Sequence, residues 1–439
     1  MKIKTLYFAI LVAITLSSNA QWVTQASGFS TTGLGINDIS IVNANVVWAT
    51  AFDTSGIAAV NKFTRTINGG TTWTPGSITG AAALDLTSIS AYNKDTAWVS
   101  MLDNTNGGGA IYRTNNGGTT WAAQATATFA APGGSTDFVY MFDKNNGVCV
   151  GDSNGGYWEI YKTVNGGTNW ARVVSGNIPV NQLGEIGGEN IYSVIGSTIW
   201  FGTSTGRVYK STNMGAIWTA TTTGLTSVTR LAFKDANNGI ATDGTSLVKT
   251  TNGGATWTTL AFTGNLYETG LAYIPGTVGT YVSTGSKASG ALTNGSSYSL
   301  NDGATWINID AVGHSSVAFL NSTTGWSGGI NTSSTVAGMY KWNGSFTTGI
   351  KNNEYVKGVS INVYPNPFST QVNITVESES GILSNLAVEV YDVLGNSVLK
   401  RDFNENKTIL SRENLKEGIY FYKVYNTNTI VGTGRLLIQ

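Results

Sequence analysis

The chain has 439 residues, with 25 Lys+Arg balanced by 25 Asp+Glu and only 11% charged residues. That neutrality argues against a nucleic-acid partner, whose phosphates call for a basic surface, and 41% hydrophobic residues argue against a disordered chain. The 55 Gly and 13 Trp suit many short strands joined by tight turns.

At the N-terminus, Lys2 and Lys4 precede a largely apolar run from Leu6 to Leu16, and Ser18-Asn19-Ala20 supplies small residues for cleavage. The pattern predicts a secretory signal peptide over residues 1–20 rather than a membrane anchor, with Gln21 as the mature N-terminus and no transmembrane segment in the mature chain. No Cys stands at the cleavage point, which argues against a lipid-anchored end. The single Cys149 lies in the apolar stretch "GVCVG" and is expected to be buried and unpaired.

From residue 65 a nonapeptide recurs: "RTINGGTTW", "RTNNGGTTW", "KTVNGGTNW", "KSTNMGAIW", "KTTNGGATW" and "YSLNDGATW", ending at Trp73, Trp121, Trp170, Trp218, Trp257 and Trp306. Each copy reads Thr/Ser-x-Asn-x-Gly-x-x-Trp. Asn68, Asn116, Asn165, Asn213, Asn252 and Asn301 are expected to accept hydrogen bonds from backbone N–H groups two residues on. The following Gly permits positive φ, and the Trp returns an aromatic face over the turn. Turn-making alone explains each residue type, so the repeats are expected to be structural.

Upstream of each copy lies a strand, a polar turn and a second strand opening on a large apolar residue: Trp48, Trp98, Val148, Trp200, Ile240, Tyr281 and Trp326, spaced by 40 to 52 residues. Seven such units at that period predict a seven-bladed β-propeller of four-stranded blades over residues 21–350. The seventh turn is degenerate, with "YKWNGSF" in its place. The N-terminal "QWVTQASGF" is expected to supply the last blade's outer strand, with Trp22 in the place of a turn tryptophan. Such closure removes two exposed sheet edges.

The nonapeptides resemble the Asp-box, or bacterial neuraminidase repeat, with Asn in the Asp position. Together with the upstream strands they resemble propellers of the photosystem II stability/assembly factor-like family. The resemblance implies a fold and no single function, since sialidases, endoglucanases, sorting receptors and assembly factors all carry such boxes. Sialidases of this kind bind a carboxylate with three arginines. Here Arg65 and Arg113 occupy the pre-box position filled elsewhere by Lys162, Lys210 and Lys249, Arg207 shares the strand of Lys210, and Arg172 lies on an outer strand. Only Arg230 is left for a ligand, and one arginine makes no triad.

On the face opposite the boxes, the crossovers between blades bring Asp38, Asp137, Glu185, Arg230, Glu268 and His314 just before the inner strands. The loops between second and third strands add Asp53, Asp103, Asp152, Asp243 and the aromatic Trp158. This set is the candidate ligand-binding face. Ordinary turn chemistry accounts for many of its aspartates, as in "DTSG", "DNTNGG" and "DGTS". Calcium stays open because carboxylates and Asn are oxygen donors, although no twelve-residue loop pattern appears. His314 has no Cys or His partner set, so no metal site and no cofactor is expected.

A linker is expected over residues 351–358. From Val359 the charge density rises and the blade pattern stops. Alternating runs such as "INVYPNP", "QVNITVES", "LAVEVYDVLGNSVL" and "GIYFYKV" predict a small antiparallel β-sandwich over residues 359–439, with a hairpin turn at Gly395-Asn396. The fold class is therefore all-β, a propeller followed by a sandwich. The segment resembles the type A C-terminal sorting domain of the type IX secretion system, through Tyr364-Pro365-Asn366-Pro367, Gly395 in the hairpin, Gly418 in "LKEGIYFYKV" and the terminal Gly434-Arg435-Leu436-Leu437-Ile438-Gln439. That resemblance implies the type IX machinery as a partner and a secreted or surface-displayed product. The passenger is then expected to be a monomeric, non-catalytic propeller binding a glycan or a surface protein, with a glycoside hydrolase using two face carboxylates as the alternative.

Overall fold

The computed structural model describes residues 21–56, 59–346, 359–378, 385–426 and 429–439. The expected signal peptide and linker lie outside them. Two compact units divide the chain, with the break after Thr347.

Among the described residues the first unit contains seven four-stranded antiparallel sheets. Six are built from strands in sequence order, beginning with Leu34–Ile41, Asp85–Ala91, Phe138–Met141, Tyr192–Ile195, Arg230–Phe233 and Gly270–Tyr273 as the inner strands of blades 1 to 6. Blade 7 is composite. Its strands Val317–Asn321, Thr324–Ser333 and Val336–Trp342 are completed by Trp22–Ala26, which pairs in register from Trp22↔Trp342 to Ala26↔Gly338. Val23 lies opposite Lys341 as Thr74 lies opposite Arg65, so Trp22 holds the register place of a turn tryptophan. Its indole donates to Ser296 Oγ at 3.1 Å, and its ring packs at 5.0 Å from Trp342.

Why these sequences make blades is visible in the second strands. Trp48, Trp98, Val148, Trp200, Ile240 and Trp326 are at most 1% exposed and stand opposite the cation that precedes each turn. Arg65, Arg113, Lys210 and Lys341 lie over the facing indoles at 4.9 to 5.6 Å. Arg65, Lys162 and Lys341 also donate to a carbonyl of the next blade, at Lys94, Met214 and Gly69. These cations thus tie blades together. In blade 6 the register puts Val282, not Tyr281, opposite the equivalent residue, Tyr298. Tyr281 lies one place earlier and fills the core shared with blade 5.

The nonapeptide turns repeat one hydrogen-bond pattern. In the first, Thr66 Oγ1 accepts from Gly70 N–H at 2.9 Å, and Asn68 Oδ1 accepts from Thr72 N–H at 3.0 Å. The Asn acceptor therefore reaches four residues on rather than two, because Gly69 and Gly70 both adopt positive φ and curl the chain back. Met214 and Asp302 take the first of these left-handed positions in the fourth and sixth turns, where a side chain is strained.

The second unit packs a three-stranded sheet (Val359–Tyr364, Gln371–Ser378, Lys407–Ser411) and a four-stranded sheet (Ser397–Asp402, Leu386–Tyr391, Gly418–Asn426, Thr429–Ile438) around one core that includes Val372, Ile374, Val388, Val390, Val424 and Leu436. The turn expected at Gly395-Asn396 is a five-residue loop. Asp392 caps it by accepting from the N–H groups of Leu394 and Asn396, both at 2.9 Å, and Gly395 has φ +86°.

Candidate ligand site at the channel mouth

Where the inner strands begin, on the face opposite the nonapeptide turns, a polar cavity of about 770 Å³ opens around the axis. Asn37, Asp38, Asp53, Asp85, Glu189, Arg230 and Ser316 line it, with Phe52 as its aromatic wall. Its floor is the stretch entering blade 4. Glu189 Oε2 accepts from Asn37 of blade 1 at 3.1 Å, Asn190 donates to Thr87 O of blade 2 at 2.8 Å, and Gly187 N–H donates to Asp152 of blade 3 at 2.7 Å. Blades 1 and 4 lie across the ring from each other, so the bond from Asn37 to Glu189 spans the axis. Asn190 takes φ +58° to make its contact.

The carboxyls here are perturbed by burial. Asp137 is 4% exposed, its Oδ2 has no hydrogen-bond partner among the described residues, and desolvation with the nearby Asp152 and Glu189 charges pushes its carboxyl well above the usual range. Glu189 is open to solvent in the cavity yet surrounded by protein, and that desolvation raises its carboxyl, with Arg230 opposing the shift. Burial likewise brings the Arg230 guanidinium down to about 10. Arg230 spends Nε on Thr269 O at 2.9 Å and Nη1 on Thr229 O. Glu189 Oε1 and Arg230 Nη2 make no hydrogen bond among the described residues. They are the unspent acceptor and donor of the site.

The other expected face residues divide sharply. Asp38 lines the cavity, but its carboxylate accepts from Ile39 N–H at 2.8 Å and from Ile89 N–H of blade 2 at 2.9 Å. Ser88 makes the corresponding link from blade 2 to Val139 of blade 3. Asp38 is thus a blade-to-blade tie as well as a wall residue. Asp53, Asp103 and Asp243 organise their own turns, each accepting from the N–H two residues on at 2.9 to 3.0 Å. Glu268 is half-buried beside the Gly244 turn.

Four residues expected at the face lie inside the protein instead, Asp137 among them. Trp158 is fully buried at 5.3 Å from Phe201 and 5.2 Å from Tyr209, because its strand runs past the loop and carries it between blades 3 and 4. Glu185 is 2% exposed and accepts from Gln182 N–H, Thr203, Thr205, Tyr209 and Arg207, the last at 2.8 Å. His314 is fully buried between Ser327 at 2.5 Å and Asp310 at 3.1 Å, with Trp22 over its ring. Reading crossovers at equal offsets missed Glu189, since the entry to blade 4 is longer than its counterparts and places Glu189, not Glu185, at the axis. Among the described residues no group of three His, Cys, Asp or Glu side chains is placed to hold a metal ion, and no helix is long and apolar enough to cross a membrane.

In the second unit, Asn366 Nδ2 donates to Arg435 O at 2.9 Å and its Oδ1 accepts from Leu437 N–H at 2.8 Å, so its amide imitates a strand partner for the last strand. Residues 362–439 match the secretion system C-terminal sorting domain. The chain carries this sorting domain. It marks the protein for export by the type IX secretion system, to the cell surface or beyond. Within the sorting domain Gly434 leaves room for Tyr422, whose hydroxyl would lie 2.4 Å from a Cβ there, while Arg435 is exposed.

The propeller has structural counterparts. YCF48 bound to D1 peptide is 16% identical, with TM-score 0.51, covering 74% of this chain and 97% of that one. YCF48 from Cyanidioschyzon merolae is 17% identical, with TM-score 0.50, covering 74% and 99%. The extracellular domain of the one component system BT4673 from B. thetaiotaomicron is 11% identical with TM-score 0.49, covering 96% of this chain and 59% of that one. At these identities the likeness establishes the fold alone. No curated protein matches the chain.

Proposed function

We propose that the chain is an exported, monomeric recognition protein whose propeller binds a glycan without turning it over, at the channel-mouth cavity. The observation that carries this reading is the paired, unspent chemistry of Glu189 Oε1 and Arg230 Nη2 in a floored, polar cavity beside Phe52. A carboxylate takes sugar hydroxyl donors, a guanidinium offers donors to ring and hydroxyl oxygens, and a phenyl face packs against the apolar side of a pyranose. The cavity falls within the size range of small-ligand sites. In this reading residues 1–20 are removed as a leader, 21–350 form the recognition module, 351–358 link it, and 359–439 direct export.

The second reading is a glycoside hydrolase. It draws on Glu189, a raised carboxyl reached by solvent and thus suited to a general acid. The other three mouth carboxyls are committed to holding structure: Asp38 on two N–H groups, Asp53 on the N–H and hydroxyl of Ser55, and Asp85 on Val60 N–H at 2.6 Å and Asn104 at 2.6 Å. A base or nucleophile would have to leave such bonds. Screening the exported form, from Gln21, against glycans and polysaccharides for binding and product release together tests both readings. Retention without product, lost in Glu189→Gln and Arg230→Ala, is expected; product formation abolished by Glu189→Gln would establish the hydrolase instead.

A further inference from the structure

The nonapeptide turns are not all covered alike. In blades 2, 3, 4 and 6, the stretch leaving the preceding blade's outer strand crosses over and accepts a hydrogen bond from the turn tryptophan's backbone N–H. The acceptors are Thr79 Oγ1 for Trp121 at 3.2 Å, Thr126 Oγ1 for Trp170 at 2.7 Å, Asn177 O for Trp218 at 2.8 Å and Thr263 O for Trp306 at 2.8 Å. A buried apolar neighbour accompanies three of them: Ile78, Ala127 and Ile178. In blade 1 the N-terminal segment does the covering. Trp73 donates from its indole to Gln25 at 3.0 Å, and its carbonyl lies against Gly28.

Trp257 of blade 5 is the exception. Trp218 and Trp257 are 39 residues apart, whereas the other consecutive turn tryptophans are 48 or 49 apart. The shortfall removes the crossing stretch. After Thr222 the chain stays on its own blade, because Thr223 donates to Gly206 O from both its N–H at 2.9 Å and its Oγ1 at 2.7 Å. Among the described residues nothing accepts from the backbone N–H of Trp257 or of Trp73, but Trp73 is covered by the N-terminal segment, whereas Trp257 is the one turn tryptophan left half-buried rather than buried. A groove of about 710 Å³ remains between Thr221, Thr222 and Arg207 on one side and Ala255 and Trp257 on the other, with Val180 at its end. A bond from Thr221 Oγ1 to Gly254 O at 2.6 Å fixes the two sides together.

We infer that this groove binds an extended, uncharged peptide segment of a partner protein, seated as the crossing stretches are seated in the sister blades. The occupant's chemistry follows from theirs: a Thr or Ser hydroxyl, or a carbonyl, facing the free N–H, with an aliphatic residue on one side and a small residue on the other. Arg207 is the groove's charged wall residue and is already paired with Glu185 at 2.8 Å, so no unspent charge calls for an ionic ligand. An unmade backbone hydrogen bond beside a partly uncovered indole is the combination that strand-like peptides satisfy. The site is separate from the channel mouth and independent of what binds there.

The full chain labelled with 5-fluorotryptophan tests this by ¹⁹F NMR, with the Trp257 signal identified by its loss in Trp257→Phe. The probe is the peptide GSITGAA, the sequence of residues 76–82 that fills the sister groove of blade 2. A saturable shift of the Trp257 signal is expected, about ten-fold weaker binding for the peptide carrying Thr79→Val, and no shift in the groove-filling variant Ala255→Trp. An unmoved Trp257 signal at millimolar peptide overturns the inference. So does equal binding of the valine peptide, or a shift produced by a neutral oligosaccharide and not by the peptide.

Discussion

Replacing Trp22 by Ala tests whether the N-terminal strand carries the ring. Trp22 is 5% exposed and contacts the rings of His314, Phe319 and Trp342 at 5.0 to 5.8 Å. A tryptophan of this kind buries roughly 150–250 Å², which at about 25 cal/mol per Å² is about 4–6 kcal/mol. Part of that returns as the site collapses, and loss of the bond to Ser296 adds about 1 kcal/mol. The net expectation is about 4 kcal/mol, inside the usual range for aromatic truncations. All 13 tryptophans lie between residues 22 and 342, so tryptophan fluorescence reports the propeller without interference from the sorting domain. With a urea slope of about 3 kcal/mol per M, the midpoint should fall by about 1.3 M. A fall of less than about 0.3 M would refute the closure argument, as would a chain lacking Gln21–Phe29 that melts like the parent.

Three further substitutions probe other links. Asp38 has a folded-state carboxyl at about 6 against 3.8, so its burial is tolerated best when protonated: the stability it contributes is full below about pH 4 and lost as pH rises through about 6. Asp38→Asn should flatten the urea midpoint between those pH values by the equivalent of about 1–3 kcal/mol, and an unchanged slope would contradict the assignment. Glu185→Ala leaves the Arg207 guanidinium without its carboxylate and should cost about 3–5 kcal/mol by the same fluorescence assay; a cost below about 1 kcal/mol would mean the cluster is dispensable. Gly434→Ala presses a Cβ to 2.4 Å from the Tyr422 hydroxyl and should lower the sorting domain's calorimetric transition by about 1–3 kcal/mol, leaving the tryptophan-monitored transition where it was.

Repetition made the fold legible and its interruptions hid the site. Six copies of one turn give the blade period, and the upstream apolar positions count a seventh blade, because each blade buries a second-strand apolar residue opposite the residue that precedes the turn, a cation in six blades and Tyr298 in blade 6. Val282 and Tyr281 show the limit: a one-residue slip moves a side chain to the other face of the sheet, and two adjacent apolar residues conceal it. For the ligand face, equal-offset reading assumed that all crossovers are alike. The entry to blade 4 is not, and it delivers Glu189 and Asn190 to the axis while burying Glu185. Polar residues that looked free are consumed by bonding within the ring: Asp38 ties to Ile89, 51 positions on, and His314 ties Asp310 of blade 6 to Ser327 of blade 7 with Trp22 packed on its ring.

The irregular spacing of the tryptophans bears on function in the same way. A propeller built from near-identical units binds where the units differ, since whatever all blades share is already satisfied by the neighbour. At the channel mouth the difference is an elongated entry that floors the cavity and brings Glu189 to the axis. Beside Trp257 it is a shortening that leaves the indole half-buried and its backbone N–H uncovered. Both departures flank blade 4, and binding residues commonly sit on such irregular loops over a rigid scaffold. The two sites should therefore respond independently: Glu189→Gln should leave the Trp257 peptide shift unchanged, and Ala255→Trp should leave glycan retention unchanged. Coupled losses would show that blade 4 itself is distorted and would remove the distinction between the sites.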